Sequence, residues 1–450
     1  MIGTRNRFHG VIVLLTFLFL VSAWMPLAVA GGPERVVAVG DVHGSLEGLT
    51  GILEEAGVID ASGRWIGGST TLIQQGDLLD RGLHVREVMD LLMRLQREAP
   101  KAGGEVICLL GNHEGMNLLG LARDVNPEVY EAFVDKNSEV RRSDAFAVMT
   151  RCRETKAELL EPIPEEATGT TTVELQGTDP EDSIEEIRVE RLGTEPEDQI
   201  GEARDEWMAR YPAGKLEYLE ALGPDGVYGK WLRTLPTTVR RVDTVFVHAG
   251  IAPVLLGQDI EAINTRVAAE LRHYDRFKAT LVSKHLILPT ASVNEVSEVA
   301  TAILLVAPEA KGKRGRKLRA LAKDLDGADG VGGWYLVHPD GPLWFRGAAL
   351  GNEQENAEHI ETILDQLEVE RMVIGHTVMR DGTINSRFGG RVLAIDTGML
   401  SEVYKGGRPS ALEIVGNTVT AIYKGERHLL VDGEWRAIAP ESELEVAVGG

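Results

Sequence analysis

Cysteine is scarce in this chain, two residues in 450, which leaves no room for a disulfide framework. Cys108 stands inside the apolar "VICLL" and reads as a small buried hydrophobe, whereas Cys152 stands in the charged "MTRCRET" and reads as a surface residue. An oxidising compartment would permit a bridge between them, but the contrast in setting predicts two free thiols.

A surplus of basic residues is also missing. The 47 Lys and Arg against 69 Asp and Glu leave a formal charge of −22. That balance excludes a nucleic-acid partner, because backbone binding needs a cationic face to displace counterions. Internal repeats are absent. Long apolar runs are confined to the N-terminus, where Arg5 and Arg7 precede Val11 to Trp24 and small residues follow at Ala28 to Ala30. This order is that of a secretory signal peptide over residues 1–30, and the run is short for a membrane span. The mature protein is therefore expected to start near Gly31 and to be exported, to the periplasm or beyond, without a transmembrane segment. Nothing in the sequence points to an oligomeric state.

What the chain does have, from Arg35 onward, is a series of short β-branched runs, each ending at a glycine-bounded polar turn. "RVVAV" leads to "GDVHG" and a helical pattern; "STTLIQQ" leads to "GDLLDRG" and another; "EVICLL" leads to "GNHEG" and a third. Strands alternating with helices predict βαβ units and a largely parallel sheet, with sites at the carboxyl ends of the strands. Later strands are expected at Thr244 to Val247, Arg371 to Ile374 and Arg391 to Ile395. The alternating "ALEIV", "TVTAIY" and "HLLVD" then suggest an antiparallel end to the fold, so two packed sheets flanked by helices account for the order.

Two regions interrupt this pattern. Residues 154–205 are rich in Glu, Asp, Thr and Pro, and their charge predicts an extended or mobile insertion. A second insertion, near 275–330, carries the basic run "KGKRGRKLRALAK", which reads as a solvated loop entering a helix or as a patch for anionic surfaces.

The polar strand ends hold the chemistry: Asp41 and His43, then Asp77, Asp80 and Arg81, then Asn112, His113 and Glu114, then His248 and His376. Brought together they would make a mixed oxygen and nitrogen cage for divalent metals. A carboxylate can bridge two ions about 3.5–4 Å apart; imidazoles and an amide oxygen add ligands without adding charge that a phosphate would feel. No cysteine stands at these positions, which argues against a structural zinc site.

The motifs "GDVHG", "GDLLDRG", "GNHE", "HAG" and "GH", in that order, resemble those of the phosphoprotein phosphatase family, within the calcineurin-like metallophosphoesterase superfamily. The resemblance implies an α/β fold of two packed mixed β-sheets flanked by helices, filling residues 31–450 apart from the insertions. It implies a metallophosphatase with two divalent ions, Mn, Fe or Zn with Mn favoured, that hydrolyses phosphomonoesters of phosphorylated proteins or small molecules by direct attack of a metal-bridging hydroxide. Carried over residue by residue, Asp41, His43 and Asp77 would serve the first metal, and Asp77, Asn112, His248 and His376 the second. His113 would be the general acid, oriented by Asp80. Arg81, Asn112 and, more distantly, Arg346 of "GPLWFRG" would bind the substrate phosphate. Glu114 reads as structural, favoured at the start of a helix, and Asp396 of "AIDTGM" as a turn residue or a site residue.

"AIDTGMLSE" and "PLWFRG" place the resemblance in the bacterial and Shewanella-like branch, since the "SAPNYC" loop of the eukaryotic branch is lacking. A dinucleoside polyphosphate hydrolase is the rival enzyme, and GNHE rather than GNHD weighs against it. A metal-binding interaction protein without turnover is the third reading; it would have no need of His113, Asp80 and Arg81 together.

Overall fold

The computed structural model describes residues 34–160, 197–328 and 330–432. The signal peptide expected over 1–30 and the acidic stretch 161–196 lie outside the described residues.

The chain opens with β1 (Arg35–Val39), α1 (Leu46–Glu55), β2 (Thr71–Gln74), α2 (Val85–Glu98), β3 (Glu105–Cys108) and α3 (Asn112–Leu118). Both faces of these strands are covered. In β1, Val37 and Val39 join Leu49, Leu53 and Leu92 of the adjacent helices, while Val36 and Ala38 join Phe246, Val373 and Leu393 on the other side. With apolar neighbours on both faces, the two-residue alternation carries no polar contrast, so such strands read as continuous apolar runs.

A helical region follows: α4 (Ser138–Leu160), α5 (Glu197–Arg210), α6 (Lys215–Leu222) and α7 (Val227–Leu232). Then come β4 (Thr238–Arg241), β5 (Thr244–Val247), α8 (Ile260–Ser283), α9 (Val293–Val306), α10 (Gly312–Asp324), α11 (Gly347–Leu350) and α12 (Glu353–Gln366). The chain returns as β6 (Arg371–Ile374), β7 (Asn385–Arg387), β8 (Val392–Ala394), β9 (Ala411–Val415), β10 (Thr418–Tyr423) and β11 (Glu426–Val431).

Two mixed sheets result. The first runs β11-β10-β9-β1-β2-β3, parallel through β1, β2 and β3, with the antiparallel C-terminal strands joined to it where β9 pairs with β1. The second runs β4-β5-β6-β8-β7, parallel at its centre and antiparallel at both edges. They pack through Val36, Ala38, Ile73 and Leu109 of the first half against Phe246, Val373 and Leu393 of the second. The outer face of the second sheet is covered by Ile360, Ile363 and Leu364 of α12. This is the α/β fold of two packed mixed sheets that the strand order implies, and it points the carboxyl ends of β1, β2, β3, β5 and β6 toward one place.

Some local expectations fail. Residues 154–160 continue α4, and α5 covers 197–205, so the described ends of the acidic insertion are helical and not extended. Cys152 is buried, at 4% exposure, because it lies on the packed side of α4 while its charged neighbours point outward. Both cysteines are free. The basic run forms α10, which buries Leu318 and Leu321 and leaves its lysines exposed. Much of the 275–330 region packs into one apolar cluster with α3 and α6. Among the described residues no helix is long and apolar enough to cross a membrane.

Candidate active site

The five strand-end loops meet. Asp41, His43, Asp77, Asp80, Asn112, His113, His248 and His376 are all buried, in a chain where such groups normally face water. The backbone must bend sharply to deliver them. His43, Asp77, Asp80, Arg81 and His376 all adopt positive φ, between 46° and 69°, a conformation that costs a non-glycine residue energy and clusters at functional sites. The glycines of the motifs have a related cause. A Cβ on Gly111 would stand 2.2 Å from Asp77 Oδ1, and one on Gly375 would stand 2.4 Å from Asp41 Oδ1. Only glycine lets these strands approach the carboxylates.

Asp77 is the hub. Its Oδ2 lies 3.4 Å from His248 Nε2, 3.8 Å from His43 Nε2 and 3.9 Å from His113 Nε2, and its Oδ1 accepts from the His113 backbone N–H at 3.0 Å. Burial alone would push its carboxyl up, but His248 and His113 outweigh that and hold it well below the usual range. Asp41 goes the other way. Burial, then Asp396 and Asp77, push it well above the usual carboxylate range, although both its oxygens lie 3.1 Å from the His376 backbone N–H.

His113 is held from the side. Its Nδ1 donates to Asp80 Oδ2 at 2.6 Å, and the second oxygen of Asp80 accepts from Asn117 Nδ2 at 2.9 Å. Tyr218 closes the chain by donating its hydroxyl to Asn117 Oδ1 at 2.7 Å. Burial opposes the charged imidazole, yet Asp77 and Asp80 raise His113 above its ordinary value. His43 and His376 are pushed well below theirs, by burial first and then by Arg81 and Arg346 respectively.

Arg81 Nη1 donates to His43 Nε2 at 2.8 Å, while His43 Nδ1 donates to Leu79 O at 2.9 Å. The half-buried Arg81 guanidinium therefore lies against the His43 ring. Arg346 is half-buried next to His376 and donates to Thr377 Oγ1 at 3.2 Å. Every residue that the motifs single out is thus brought to one site.

Glu114 does more than sit at a helix start. Its carboxylate accepts the backbone N–H groups of Asp77, Leu78, Leu79 and Gly111, at 2.7, 2.8, 3.1 and 2.9 Å. It clamps the loop of β2 to the loop of β3, and burial with the nearby Asp77 pushes it up to about 7. Asp396 lies inside the site, where burial, then Asp77, raise it to about 6. Reading the motifs misses three residues: Asn117, Asp124, whose Oδ2 is 3.9 Å from His113 Nδ1, and Tyr404, whose ring faces Arg81. Asn117 follows His113 by one helical turn, the only trace of its role in the sequence.

A family model described as calcineurin-like phosphoesterase matches residues 34–264, which include Asp41 through His248. The chain belongs to this family. It is 48% identical over 101 residues to Shewanella-like protein phosphatase 2 of Arabidopsis thaliana, covering 22% of this chain and 26% of that protein. It is 38% identical over 107 residues to Shewanella-like protein phosphatase 1 of Plasmodium berghei, covering 24% and 30%. The matched stretches thus span under a third of those relatives. Two solved structures share the fold. A cold-active protein tyrosine phosphatase has a TM-score of 0.53 at 21% identity, over 90% of this chain and 81% of that one. A cold-active protein-tyrosine phosphatase of a psychrophilic Shewanella species has 0.52 at 22%, over 89% and 81%.

Calcineurin-like phosphoesterases take divalent metal ions, and the donor set here fits them. Asp77, His248 and His376 bring ligand atoms within 4.8 Å of one another, as do His43, Asp77 and His113. His376 Nε2 and Asp396 Oδ2 are buried with no hydrogen-bond partner, a costly state that a cation relieves. His248 Nδ1 donates to Gln75 O at 2.7 Å, so in the neutral ring Nε2 turns its lone pair toward Asn112 Oδ1, 2.9 Å away. Two acceptors facing each other need a proton or a cation in front of them. Asp80, His113 and Asp124 form a third close trio, but the 2.6 Å hydrogen bond within it uses the atoms that a metal would need.

Proposed function

We propose that this protein is a metal-dependent phosphomonoesterase, with manganese the favoured ion, acting on phosphorylated proteins or small phosphoesters outside the cytoplasm. The observation that carries the reading is the His113 to Asp80 hydrogen bond of 2.6 Å, formed beside the buried carboxylate hub Asp77. A protein that merely stored metal would gain nothing from a buried, oriented imidazole whose free nitrogen faces the cage.

Asp41, His43 and Asp77 would hold one divalent ion, with the Arg81 guanidinium released from His43 Nε2, and Asp77, Asn112, His248 and His376 the other; when bound, such a pair supplies Lewis acidity and a water acidic enough to attack phosphorus directly. The chain's own residues do the rest. Arg81 offers two N–H groups in one plane to the phosphoryl oxygens, which favours a bidentate grip. Asn112, whose oxygen lies against His248 Nε2, would have its amide N–H₂ left for the substrate, and Arg346 adds a second positive charge. As the bond from phosphorus to the leaving oxygen breaks, that oxygen takes the proton from His113 Nε2, while Nδ1–H stays on Asp80. The carboxylate keeps the ring aimed and charged, as general acid catalysis near neutral pH requires. No side chain becomes phosphorylated.

The stretch 48% identical to Shewanella-like protein phosphatase 2 supports a phosphoprotein substrate. Export rests on the N-terminal sequence Arg5 to Ala30 and is checked by cell fractionation of the full-length chain. The enzymatic test is hydrolysis of para-nitrophenyl phosphate with added manganese, run beside phosphotyrosine peptide, phosphoserine peptide and diadenosine tetraphosphate. Monoester turnover that stops with a chelator is expected. Turnover of the dinucleotide alone would replace this reading with the hydrolase alternative, and bound metal with no turnover of any substrate would end it.

A further inference from the structure

The loop between β8 and β9 is stapled at its base. Arg408 N donates to Thr397 O at 3.1 Å, and Thr397 Oγ1 donates to Arg408 O at 2.7 Å. Closure at this distance requires glycine, since a Cβ on Gly407 would stand 2.1 Å from Gly398 O. Arg408 Nε also donates to Gly382 O at 3.0 Å, which ties the loop to the turn that follows His376. Inside the pinched loop, Tyr404 N donates to Leu400 O at 3.0 Å and Tyr404 O accepts from Gly407 N at 2.8 Å. The backbone of Tyr404 is therefore fixed on both sides.

Its neighbours Glu402, Val403 and Lys405 are exposed, but the Tyr404 ring turns inward. The ring centre lies 5.3 Å from Arg81 Cζ and 6.1 Å from the His43 ring. A guanidinium over an aromatic face is attracted by the ring quadrupole, so the ring steadies Arg81. The hydroxyl is the unexplained part, for it is buried and has no hydrogen-bond partner. Phenylalanine would give the same ring contact without leaving a buried polar group unsatisfied. A hydroxyl in this position needs an acceptor, and the ligand of Arg81 would bring one.

We propose that Tyr404 is a phosphate-binding residue: its ring fixes the Arg81 guanidinium, and its hydroxyl donates to an oxygen of the phosphoryl group that Arg81 grips. The inference rests on the phosphatase reading for the identity of the ligand, but it concerns binding and not turnover.

The test is titration of the metal-loaded protein with inorganic phosphate by calorimetry, together with kcat and KM for para-nitrophenyl phosphate. Tyr404→Phe keeps the ring and is expected to weaken phosphate binding and raise KM by roughly tenfold, the scale of one hydrogen bond to a charged acceptor. Its metal content and melting temperature should stay close to those of the parent. Tyr404→Leu, which also removes the support of Arg81, should weaken phosphate binding further. Phosphate affinity unchanged in Tyr404→Phe, or no phosphate binding by the parent protein, overturns the assignment. A parent protein that binds phosphate yet turns over no ester would remove the phosphatase reading, while weaker phosphate binding by Tyr404→Phe would still sustain this one.

Discussion

Asp80 and His113 share a hydrogen bond of 2.6 Å between Oδ2 and Nδ1, and both residues are buried, at 1% and 3% exposure. The bond joins the loop after β2 to the first turn of α3, and Asn117 pins the far oxygen of Asp80. His113→Asn is expected to lower kcat by roughly 10²- to 10⁴-fold, the usual worth of a positioned general acid. Asp80→Asn should fall between that variant and the parent. In both, alkyl phosphates should suffer more than para-nitrophenyl phosphate, whose leaving group needs little protonation. Equal losses across a leaving-group series would remove His113 from the acid role.

Asp77 touches three imidazoles at once, so its loss should affect more than one ligand set. Asp77→Asn is expected to lose bound metal, measured by elemental analysis, together with activity. Near-normal turnover in this variant would contradict its bridging role.

Glu114 accepts four backbone N–H groups from two loops, and an amide cannot replace a carboxylate there without turning N–H toward N–H. Glu114→Gln should cost roughly 2–4 kcal/mol of stability, given the usual penalty for unsatisfied buried groups, and should lower metal content through displacement of Asp77. An unchanged urea midpoint would show that the loops hold their shape without this clamp.

Lys278 lies 5.5 Å from the Tyr274 ring centre, and burial pulls its ammonium down to about 8 against the opposing pull of Glu295 and Asp275. Its unfolded value is about 10.4. Between those two values the unfolded chain carries a proton that the folded chain has released, so this group makes stability rise with pH across that window. At pH 7 both states are protonated and the cost of burying the charge is present in full. Lys278→Met should therefore stabilise the protein at pH 7 by something on the order of 1–2 kcal/mol, with the gain fading toward pH 10. Melting curves of both proteins at pH 7 and 10 measure this, and a gain independent of pH would assign it to packing.

The candidate metal-ligand set could be read without a structure because each of its members follows a short apolar strand at a polar, glycine-containing turn. Tyr404 and Asp124 could not, since nothing in their local sequence marks them and their partners are distant. The Tyr218 to Asn117 bond joins residues 101 apart. The edge strands "TVRR" and "NSR" have too little periodicity of their own; pairing with β5 and β8 makes them strands. Cys152 is buried although its neighbours are charged, because on a helix those neighbours point away from it.

By itself the sequence determined the order of the central strands, the loops that carry chemistry and the residue types available there, because hydrophobic periodicity and glycine placement are local properties. Tertiary structure decided which groups meet. Packing of two sheets turned five loops toward one point, made Glu114 a clamp, drew Asp396 into the site and aimed Tyr404 at Arg81. Those outcomes depend on burial and on distances of a few ångströms between residues far apart in the chain, and such contacts exist only once the apolar faces have closed on one another.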